Sequence, residues 1–339
     1  MTAGQPAAVA ARREQSRAVW DAMAAGWEAH RNAIWDDSRS VGEWLIERLD
    51  PRPGDTVLEL AAGVGDTGLA AARLVGNEGC VLITDFAPEM VAAARRRAAE
   101  LGIANAEFRV LDAEGMDLDA GSFDGVICRW GYMLMVDPAA AFAETRRVLR
   151  PGGRLAFSVW GTPADNPWAS LVGPILVAKG LMAPPDPTAP GIFALADANR
   201  LRALVTAVGF ADPEIEEVAT HRTFADFDAY WRYLTELAGA ITPVLRALSP
   251  EDRADVRDAV RTGSAPYAAG QGYDFPGRCL NAVTWYAPEG PRSLTAPESY
   301  GYPDDAPPSS PAPFANRSSF HRHVRHVHVR RTRVFVCIR

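Results

Sequence analysis

One short apolar run that ends in a glycine-rich segment restricts the possible folds of this chain more than any other feature. Residues 56–60 (TVLEL) have the composition of a buried strand, and residues 61–68 (AAGVGDTG) follow with glycines at the spacing GxGxxG. Glycine permits backbone conformations and close approaches that a Cβ atom prevents. The segment therefore predicts a tight turn from a strand into a helix, with its backbone free to approach a ligand.

Strand and helix patterns alternate after this turn. Strands are predicted at residues 80–84, 106–111, 123–128 and 154–160, and helices at 67–74, 87–101 and 138–149. Farther along, a helix is predicted at 198–208, a sixth strand at 214–219 and a seventh at 279–285. Repeated strand–helix units imply a parallel sheet with helices on both faces. The carboxyl ends of the first four strands then share one edge of the sheet.

The sequence divides into three parts. Residues 1–50 are predicted to form an N-terminal helical cover, with helices at 16–32 and 41–49, and residues 51–286 a single domain with a helical insert at about 226–271. Residues 287–339 are rich first in Pro and then in Arg and His, which is typical of a disordered tail. The tail histidines permit a metal interpretation, but no carboxylate stands nearby and we expect no bound metal. These histidines are His321, His323, His326 and His328.

Charge and hydropathy argue against several classes of function. The formal net charge is −7, and because residues 287–339 contain eight Arg against two Asp and two Glu, the rest of the chain carries −11. A body this acidic repels a phosphate backbone, so nucleic acid is not expected as a partner. No apolar run approaches the ~20 residues of a membrane span, and no signal peptide is predicted. Four cysteines far apart, without a CxxC pair, favour a reducing cytoplasm.

Acidic residues stand in or after the first three predicted strands. Asp85 lies 20 positions after Gly65, where a carboxylate can accept hydrogen bonds from ribose hydroxyls. The glycines and Asp85 alone also fit the fingerprint of a dinucleotide-binding protein. Glu59 and Asp112 separate the two interpretations, because nicotinamide proteins have apolar residues at the position of Glu59. A carboxylate at Asp112 can accept a hydrogen bond from an adenine amino group.

Five ordered segments resemble the motifs of the class I S-adenosylmethionine-dependent methyltransferases: LELAAGVGDTG, TDFAPEM, LDAEGM, FDGVICRWGYMLMVD and RRVLRPGGRLAFSVWG. The branch that they resemble is that of the ubiquinone/menaquinone-type C-methyltransferases and related small-molecule enzymes. The resemblance, over about 110 residues, implies S-adenosylmethionine as cofactor and methyl transfer to a small organic acceptor. It also implies a doubly wound (Rossmann-like) α/β fold. Its seven strands would follow the order 3-2-1-4-5-7-6, with strand 7 antiparallel, under a helical cap.

The resemblance assigns roles to the residues around the glycine turn. Glu59 would orient the turn or bind the methionine ammonium, and Gly63 and Gly65 would leave room for the amino-acid part and the sulfonium. Ala61 stands where the family usually has the first glycine of this turn. The remaining implied roles are Asp85 on the ribose, Phe86 and Met90 beside the adenine, Asp112 and the Ala113 backbone on the adenine edge, and Arg129 between the cofactor and the substrate space.

Each of these residues also has an interpretation without a ligand. The glycines can simply form the strand–helix turn. Asp85 can cap a helix, because a proline and a glutamate follow it closely. Asp112 can be a plain turn residue, and Phe86 and Met90 can belong to the core.

Aromatic residues are concentrated in the parts predicted to cover the strand ends. Most of those at helical spacing are expected in the core, and some are expected to face a pocket for a flat apolar acceptor such as a quinone, phenol or polyketide. The predicted pocket residues are Trp27, Trp35, Tyr132 and Trp160. His30 is the candidate general base, with a surface or structural histidine as the alternative.

Two other functions remain open on the sequence alone. A protein of this fold can bind S-adenosylmethionine without catalysis, since fold does not determine function. The interpretation as an NAD(P)-dependent oxidoreductase depends only on the GVGDTG segment and Asp85. Residues 128–131 (CRWG) after the fourth strand differ from the Asn/Asp-Pro-Pro-aromatic run associated with methylation of nucleobase amino groups. A nucleic-acid methyltransferase is therefore not expected.

Overall fold

A mixed β-sheet forms the centre of the molecule, for which a computed structural model describes residues 5–184, 186 and 189–287. Eight strands of this part of the chain belong to the sheet: β1 (Thr56–Glu59), β2 (Cys80–Asp85), β3 (Ala106–Val110), β4 (Phe123–Arg129), β5 (Leu149–Trp160), β6 (Glu214–Phe224), β7 (Ala268–Ala269) and β8 (Gly272–Trp285). Residues 288–339, and with them nearly all of the predicted tail and its histidines, lie outside the described residues.

The seven long strands follow the order β3-β2-β1-β4-β5-β8-β6. The pairs among β1 to β5 are parallel, whereas β8 is antiparallel to both β5 and β6. The doubly wound α/β fold and the implied strand order are thus confirmed, with β8 as the antiparallel strand. The sequence pattern does not predict β7, whose two residues pair with the start of β8.

Helices surround this sheet. Within the described ranges the α-helices are α1 (Gln5–Ala29), α2 (Arg31–Leu49), α3 (Asp66–Val75), α4 (Pro88–Glu100), α5 (Pro138–Val148), α6 (Pro167–Ser170), α7 (Val172–Ala178), α8 (Ala198–Ala207), α9 (Phe227–Glu236), α10 (Ile241–Ala247) and α11 (Pro250–Ser264). Short 3₁₀ helices lie at Tyr132–Leu134, Pro163–Asp165 and Ala265–Tyr267. None of the helices in these ranges is long and apolar enough to cross a membrane.

The N-terminal cover consists of two long helices, which corrects the predicted helices at 16–32 and 41–49. Helix α1 begins at Gln5 because its first turns are rich in Ala, Arg and Glu, which favour a helix without an apolar stripe. Helix α2 begins at Arg31, and in its first half Asp37 and Ser38 contact arginines of the sheet. Apolar periodicity, on which the prediction depends, does not detect such a segment.

Both faces of the sheet are covered, as two contacts in β4 and β5 show. On one face, Leu49 of α2 lies over Gly125, where an added Cβ would be 3.1 Å from the leucine side chain. On the other face, Phe142 of α5 packs edge-to-face against Phe157 of β5, with ring centroids 5.3 Å apart. Arg129 points to the α2 face, because it lies an even number of residues after Gly125 on the same strand.

Strands β6 and β8 extend beyond the rest of the sheet as a two-stranded ribbon. They pair along the whole of β6, so both are longer than the predicted strands at 214–219 and 279–285. The extension contains Pro276 and several polar residues of β6, which conceal its strand character in the sequence. The ribbon contacts α6 through β8 and contacts α9 through both strands.

Tyr132 belongs to the core on the α5 face, which corrects its prediction as a pocket residue. Its side chain is fully buried, its ring stacks on Phe142 with centroids 4.0 Å apart, and its hydroxyl is hydrogen-bonded to Thr145 Oγ1 at 2.7 Å. Burial raises the pKa of the Tyr132 phenol well above its ordinary value. The sequence places an aromatic residue just after β4, but it does not show that the short helix there turns the ring towards α5.

Tyr132→Phe is expected to lower the free energy of unfolding by about 1 kcal/mol, because it deletes one buried hydrogen bond and leaves the ring packing intact. Urea unfolding followed by tryptophan fluorescence measures the change. The control is Tyr286→Phe, since the Tyr286 ring contacts Arg146 and its hydroxyl makes no hydrogen bond to a described residue. The control should change stability by less than about 0.5 kcal/mol. Equal losses in the two variants would contradict the role given to the Tyr132 hydroxyl.

The turn after β1 contains a residue in a conformation that suits glycine better. The φ angles are +51° at Ala61, +56° at Gly63 and +83° at Gly65, all in the left-handed region. This conformation costs a residue with a Cβ about 1–2 kcal/mol. The strain at Ala61 is the physical reason for the glycine that such turns usually have at this position.

Ala61→Gly is expected to raise the free energy of unfolding by about 1 kcal/mol, because it removes the strain of the left-handed Cβ. The matched control is Ala62→Gly, next in the chain, which is buried and does not have a positive φ. At position 62 glycine relieves no backbone strain and only increases the conformational entropy of the unfolded state. The free energy of unfolding is therefore expected to fall by about 1 kcal/mol. Thermal unfolding of the three proteins measures both changes, and a loss in both variants would show that Ala61 is unstrained.

Candidate functional site

The carboxyl ends of β1, β2 and β4 bring three of the predicted site residues to one edge of the sheet. Glu59 ends β1, Asp85 ends β2 and Arg129 ends β4. The two carboxylates are buried and the arginine is half-buried. Burying a charged group costs free energy unless hydrogen bonds or opposite charges compensate it, so the partners of each side chain determine what it can do.

Asp85 joins the glycine turn to the start of α4. Its Oδ2 accepts a hydrogen bond from the Gly63 N–H at 2.9 Å, and its Oδ1 accepts one from the Ala87 N–H at 2.9 Å. Burial raises the pKa of Asp85 to about 6, although these N–H donors lower it in part. The N-cap residue of α4 is Ala87, whose side chain makes no capping hydrogen bond, so the interpretation of Asp85 as a helix cap is wrong. The carboxylate fixes the positions of the two turns relative to each other.

Glu59 is a buried carboxylate with one unpaired oxygen. Its Oε2 has no hydrogen-bond partner among the residues described, and it lies 2.2 Å from where a Cβ on Gly68 would be. Only a glycine at position 68 therefore leaves space for this carboxylate. Burial raises the pKa of Glu59 to about 8, and the positive charge of Arg129 lowers it in part. The unpaired oxygen can accept a hydrogen bond from a ligand or bind its positive charge.

Arg129 connects the glycine turn to α2. Its Nε donates to Thr67 Oγ1 at 3.0 Å, and its Nη1 donates to Ser38 Oγ at 2.6 Å. Its guanidinium carbon lies 5.0 Å from the ring centroid of Trp130 and 5.8 Å from that of Trp35. The structure thus brings two predicted site residues, Arg129 and Trp35, together. The sequence reasoning misses both hydroxyl partners, because they become neighbours only when α2 packs on the sheet.

A further buried carboxylate, Asp66, is also missed by the sequence reasoning. It begins α3, and its Oδ2 has no hydrogen-bond partner in the part of the chain that is described. Burial raises the pKa of Asp66, and the positive charges of Arg129 and Arg97 lower it in part. The signal is present in the sequence, since Asp66 is part of GVGDTG. Asp66 is nevertheless assigned no role from the sequence, because the glycines alone account for the turn that this motif predicts.

Helix α1 lies over the glycine turn and α4. Ala24 of α1 shares one apolar cluster with Val64 and Met90, and Trp27 and Phe86 pack against it. Three predicted site residues are therefore neighbours here, with Met90 buried and the other two half-buried. The Trp27 Nε1 donor is buried and finds no acceptor among the described residues. The core interpretation of Met90 is compatible with a ligand beside Phe86.

Asp112 and Ala113 follow β3 in a turn that α1 also reaches. The Asp112 Oδ1 accepts a hydrogen bond from the Glu114 N–H at 2.9 Å, and its Oδ2 lies 3.8 Å from the Arg13 Nε. Arg13 forms a closer ion pair with Glu114. The Asp112 side chain is 44% exposed, so it acts as a turn residue and still has an oxygen open to a ligand. The sequence reasoning misses Arg13 because the helix is predicted to start after it.

A cavity of about 240 Å³ lies between the start of α2, the end of β6 and α9. Its lining includes His30, Asp37, Arg222 and Tyr233. His30, the predicted base, is at the junction of α1 and α2, with its Nε2 3.7 Å from a carboxylate oxygen of Glu236. The structure thus places His30 in this cavity and not beside the glycine turn. A larger cavity, of about 660 Å³, lies on another part of the surface, next to α5.

Aromatic rings extend from the site around Arg129 to the smaller cavity. Trp130 stacks on Trp160 with centroids 4.3 Å apart, and Trp160 meets Trp168 of α6 edge-to-face at 4.8 Å. The guanidinium carbon of Arg222 lies 4.6 Å from the Trp168 centroid. Trp160, a predicted pocket residue, therefore lies between the strand edge and the cavity. The sequence reasoning misses Arg222 because the sixth strand is predicted to end before it.

Residues 57–153 match a family model described as a methyltransferase domain. Aklanonic acid methyltransferase from Streptomyces sp. (strain C5) is 36% identical over 118 residues, which are 35% of this chain and 54% of that protein. The ubiquinone/menaquinone biosynthesis C-methyltransferase from Acidiphilium cryptum (strain JF-5) is 34% identical over 182 residues, which are 50% of this chain and 70% of that protein. The chain spans about half the length of the first curated relatives it matches.

A solved structure shares the fold. A candidate methyltransferase from Bacillus halodurans C-125 has a TM-score of 0.52 and 20% identity, over 73% of this chain and 99% of that one. Its sheet and helices support the architecture described above. The sequence match to the Acidiphilium protein, which extends over more than two thirds of that enzyme, adds the family relationship. The chain therefore belongs to the class I S-adenosylmethionine-dependent methyltransferases, in the group that includes the ubiquinone/menaquinone C-methyltransferases.

Proposed function

We propose that this protein transfers a methyl group from S-adenosylmethionine to a small organic acceptor. The observation that carries the proposal is the unpaired Oε2 of buried Glu59, at the strand edge beside the glycine turn. A buried carboxylate oxygen without a partner costs free energy, and a ligand ammonium bound there offsets that cost. S-adenosylmethionine, the cofactor of this family, has such an ammonium on its methionine part.

The rest of the turn leaves space for the methionine part of the cofactor. A Cβ on Gly63 would meet no atom within 4 Å, so the backbone there is open on its ligand side. We therefore assign the amino-acid part and the sulfonium to this turn. Gly65 has a different role, because a Cβ there would lie 2.9 Å from the Ala94 Cβ and would prevent the close packing of α4 on the turn.

The adenosine part is assigned to the ends of β2 and β3. The Asp85 carboxylate accepts the Gly63 and Ala87 N–H groups, with the Phe86 N–H also nearby, and its two oxygens together still have acceptor capacity for a ribose hydroxyl. Phe86 and Met90 are assigned to the adenine ring, and Asp112 with the Ala113 backbone to the adenine edge. Arg129 lies between this space and the aromatic rings that extend to the cavity.

When bound, the cofactor supplies a methyl group that its sulfonium already activates. The chain therefore contributes mainly by orienting the acceptor and excluding water, which is worth up to ~7–11 kcal/mol in well-oriented reactions. A base is needed only when the acceptor must lose a proton. His30 remains the predicted base for that case, since it lies in the cavity at the end of the aromatic rings.

The acceptor is proposed to be flat and largely apolar, such as a quinone, phenol or polyketide. Phe224 and Tyr233, two half-buried aromatic residues that line the cavity of about 240 Å³, can bind such a molecule on their ring faces. Trp160 is buried and stacked on Trp130, so it supports these rings from the side of the strand edge and does not line the cavity. Two relatives act, by their names, on aklanonic acid and in ubiquinone/menaquinone biosynthesis, and these names support the same class. Trp27 and Trp35 remain predicted pocket residues, beside the glycine turn and Arg129 respectively.

Calorimetric titration with S-adenosylhomocysteine tests the cofactor assignment. We expect micromolar binding by the protein and none of NADH. Asp85→Ala should weaken binding at least about tenfold, because it removes the ribose acceptor and the tie to Gly63. The matched control is Asp124→Ala: Asp124 also accepts a backbone N–H, that of Thr56, but at the opposite edge of the sheet. The affinity of Asp124→Ala for S-adenosylhomocysteine should stay within about twofold of that of the wild type.

Three outcomes of this titration would contradict the proposal in different ways. Binding of NADH alone would indicate a dinucleotide protein. Equal losses in the Asp85 and Asp124 variants would show that the carboxylate acts on stability only. Binding of S-adenosylhomocysteine without turnover of any quinone, phenol or polyketide acceptor would indicate a non-catalytic cofactor-binding protein.

The pKa of Glu59 predicts how cofactor affinity depends on pH. Because this pKa is about 8 in the free protein, Glu59 is mostly protonated at pH 7. An ammonium beside Oε2 favours the ionised form, so binding releases a proton from Glu59. Affinity for S-adenosylhomocysteine should then rise from about pH 6.5 to 8, by at most about tenfold per pH unit. Glu59→Gln cannot titrate and should bind more weakly with a flat profile; a flat wild-type profile would contradict the assignment.

A further inference from the structure

Arg222 is a buried cation that is only partly neutralised. Its side chain is 6% exposed, and its Nε has no hydrogen-bond partner in the described ranges. Asp37 pairs with it across 3.7 Å, a distance from Nη1 to Oδ2 that is beyond a hydrogen bond. The guanidinium therefore keeps donors available for another group.

Aromatic rings contact the guanidinium but do not satisfy its donors. The guanidinium carbon lies 4.6 Å from the centroid of Trp168, 5.4 Å from that of Tyr233 and 5.9 Å from that of Trp160. Such contacts stabilise the charge through the ring faces. The N–H groups of arginine, however, point outward in its own plane and need in-plane acceptors. The rings thus hold the cation in position and leave its edge free.

Other unpaired polar atoms lie on the same face of the sheet. Ser158 Oγ, Thr220 Oγ1 and the side-chain amide of Asn281 are all buried without a hydrogen-bond partner among the residues described. Ser158 pairs with Asn281 between β5 and β8, and residues 220 and 222 of β6 have the same parity. Buried polar groups are normally paired, so this concentration between Arg129 and Arg222 points to a polar group that binds there.

From this arrangement we propose that Arg222 binds a carboxylate of the acceptor, which makes the acceptor an aromatic or polyketide acid. The inference rests on the proposed function and narrows its substrate class. Two N–H groups on one edge of a guanidinium can donate parallel hydrogen bonds to the two oxygens of a carboxylate. The flat part of the acid would then pack on Phe224 and Tyr233, which line the same cavity of about 240 Å³ as Arg222.

Asp37 is compatible with a second carboxylate nearby. Burial raises its pKa to about 6, although the charge of Arg222 lowers it in part. A ligand carboxylate beside Asp37 favours protonation of Asp37, which then donates a hydrogen bond to the ligand. Asp37→Asn places a hydrogen-bond donor at this position without requiring protonation. It also removes the negative charge that competes with the ligand carboxylate for Arg222.

The test compares an acid with its neutral analogue. 2-Naphthoate and 2-naphthamide are titrated into the full chain by calorimetry, with and without saturating S-adenosylhomocysteine. We expect the acid to bind about tenfold more tightly than the amide. Arg222→Met should reduce this ratio to within about twofold, and Asp37→Asn should tighten binding of the acid. The matched control, Arg232→Met, changes an exposed arginine of the same cavity and should preserve the ratio.

Equal wild-type affinities for the acid and the amide would overturn the inference, and so would an acid preference that survives Arg222→Met or disappears in Arg232→Met. Circular dichroism checks that each variant is folded. If Arg222→Met does not fold, the titration of Asp37→Asn tests the inference instead. An affinity for 2-naphthoate that does not increase in Asp37→Asn would contradict binding of the acid beside Asp37. Binding of S-adenosylhomocysteine by the wild type is measured in the same titrations. Its failure would reject the cofactor assignment, while the comparison of acid and amide without cofactor would still decide the role of Arg222.

Discussion

The conformation of the candidate site depends on two buried carboxylates at the carboxyl edge of the sheet, Glu59 and Asp85. Asp85 satisfies both of its oxygens with backbone N–H groups and so holds the glycine turn against the start of α4. Glu59 lacks such a donor at Oε2 and is accommodated because Gly68 has no side chain and Arg129 lies nearby. One carboxylate thus gives the edge its shape, and the other keeps hydrogen-bonding capacity for a ligand.

The parallel half of the sheet is predictable from sequence, because strands such as β1 and β2 are short apolar runs, each followed by a helix. The antiparallel half is predictable only where it stays apolar. Pro276 and polar residues interrupt the pattern in the ribbon of β6 and β8, so about half of each strand is missed. The first half of α2 is missed for a related reason, since Ser38 interrupts the buried face between Ile34 and Val41 and Asp37 points a carboxylate towards Arg222.

The same limit applies to the site. Residues inside the motifs, such as Glu59 and Asp85, are found because their place at a strand end follows from the pattern. Arg13 and Arg222 are missed because each lies just outside a predicted element, and their partners on other elements become neighbours only when the chain packs. Tyr132 is the opposite case: its position is close to the site, but its ring lies on the other face of the sheet. Spacing gives the position of a residue along the chain, whereas the direction of its side chain depends on tertiary contacts. The division into cover, domain and tail remains a prediction.

Among the described residues, β6 is the last strand of the sheet, and the backbone groups of an edge strand can pair with another chain. This edge is acidic: Glu214, Glu216 and Glu217 are all exposed along it. Arg48 and Arg278 of the same molecule form ion pairs with all three glutamates, since Arg48 pairs with Glu214 as well as Glu216 and Arg278 pairs with Glu217. A second copy that docked edge to edge would have to desolvate or break these ion pairs. The charged side chains along β6 thus protect an edge that could otherwise act as a template for aggregation.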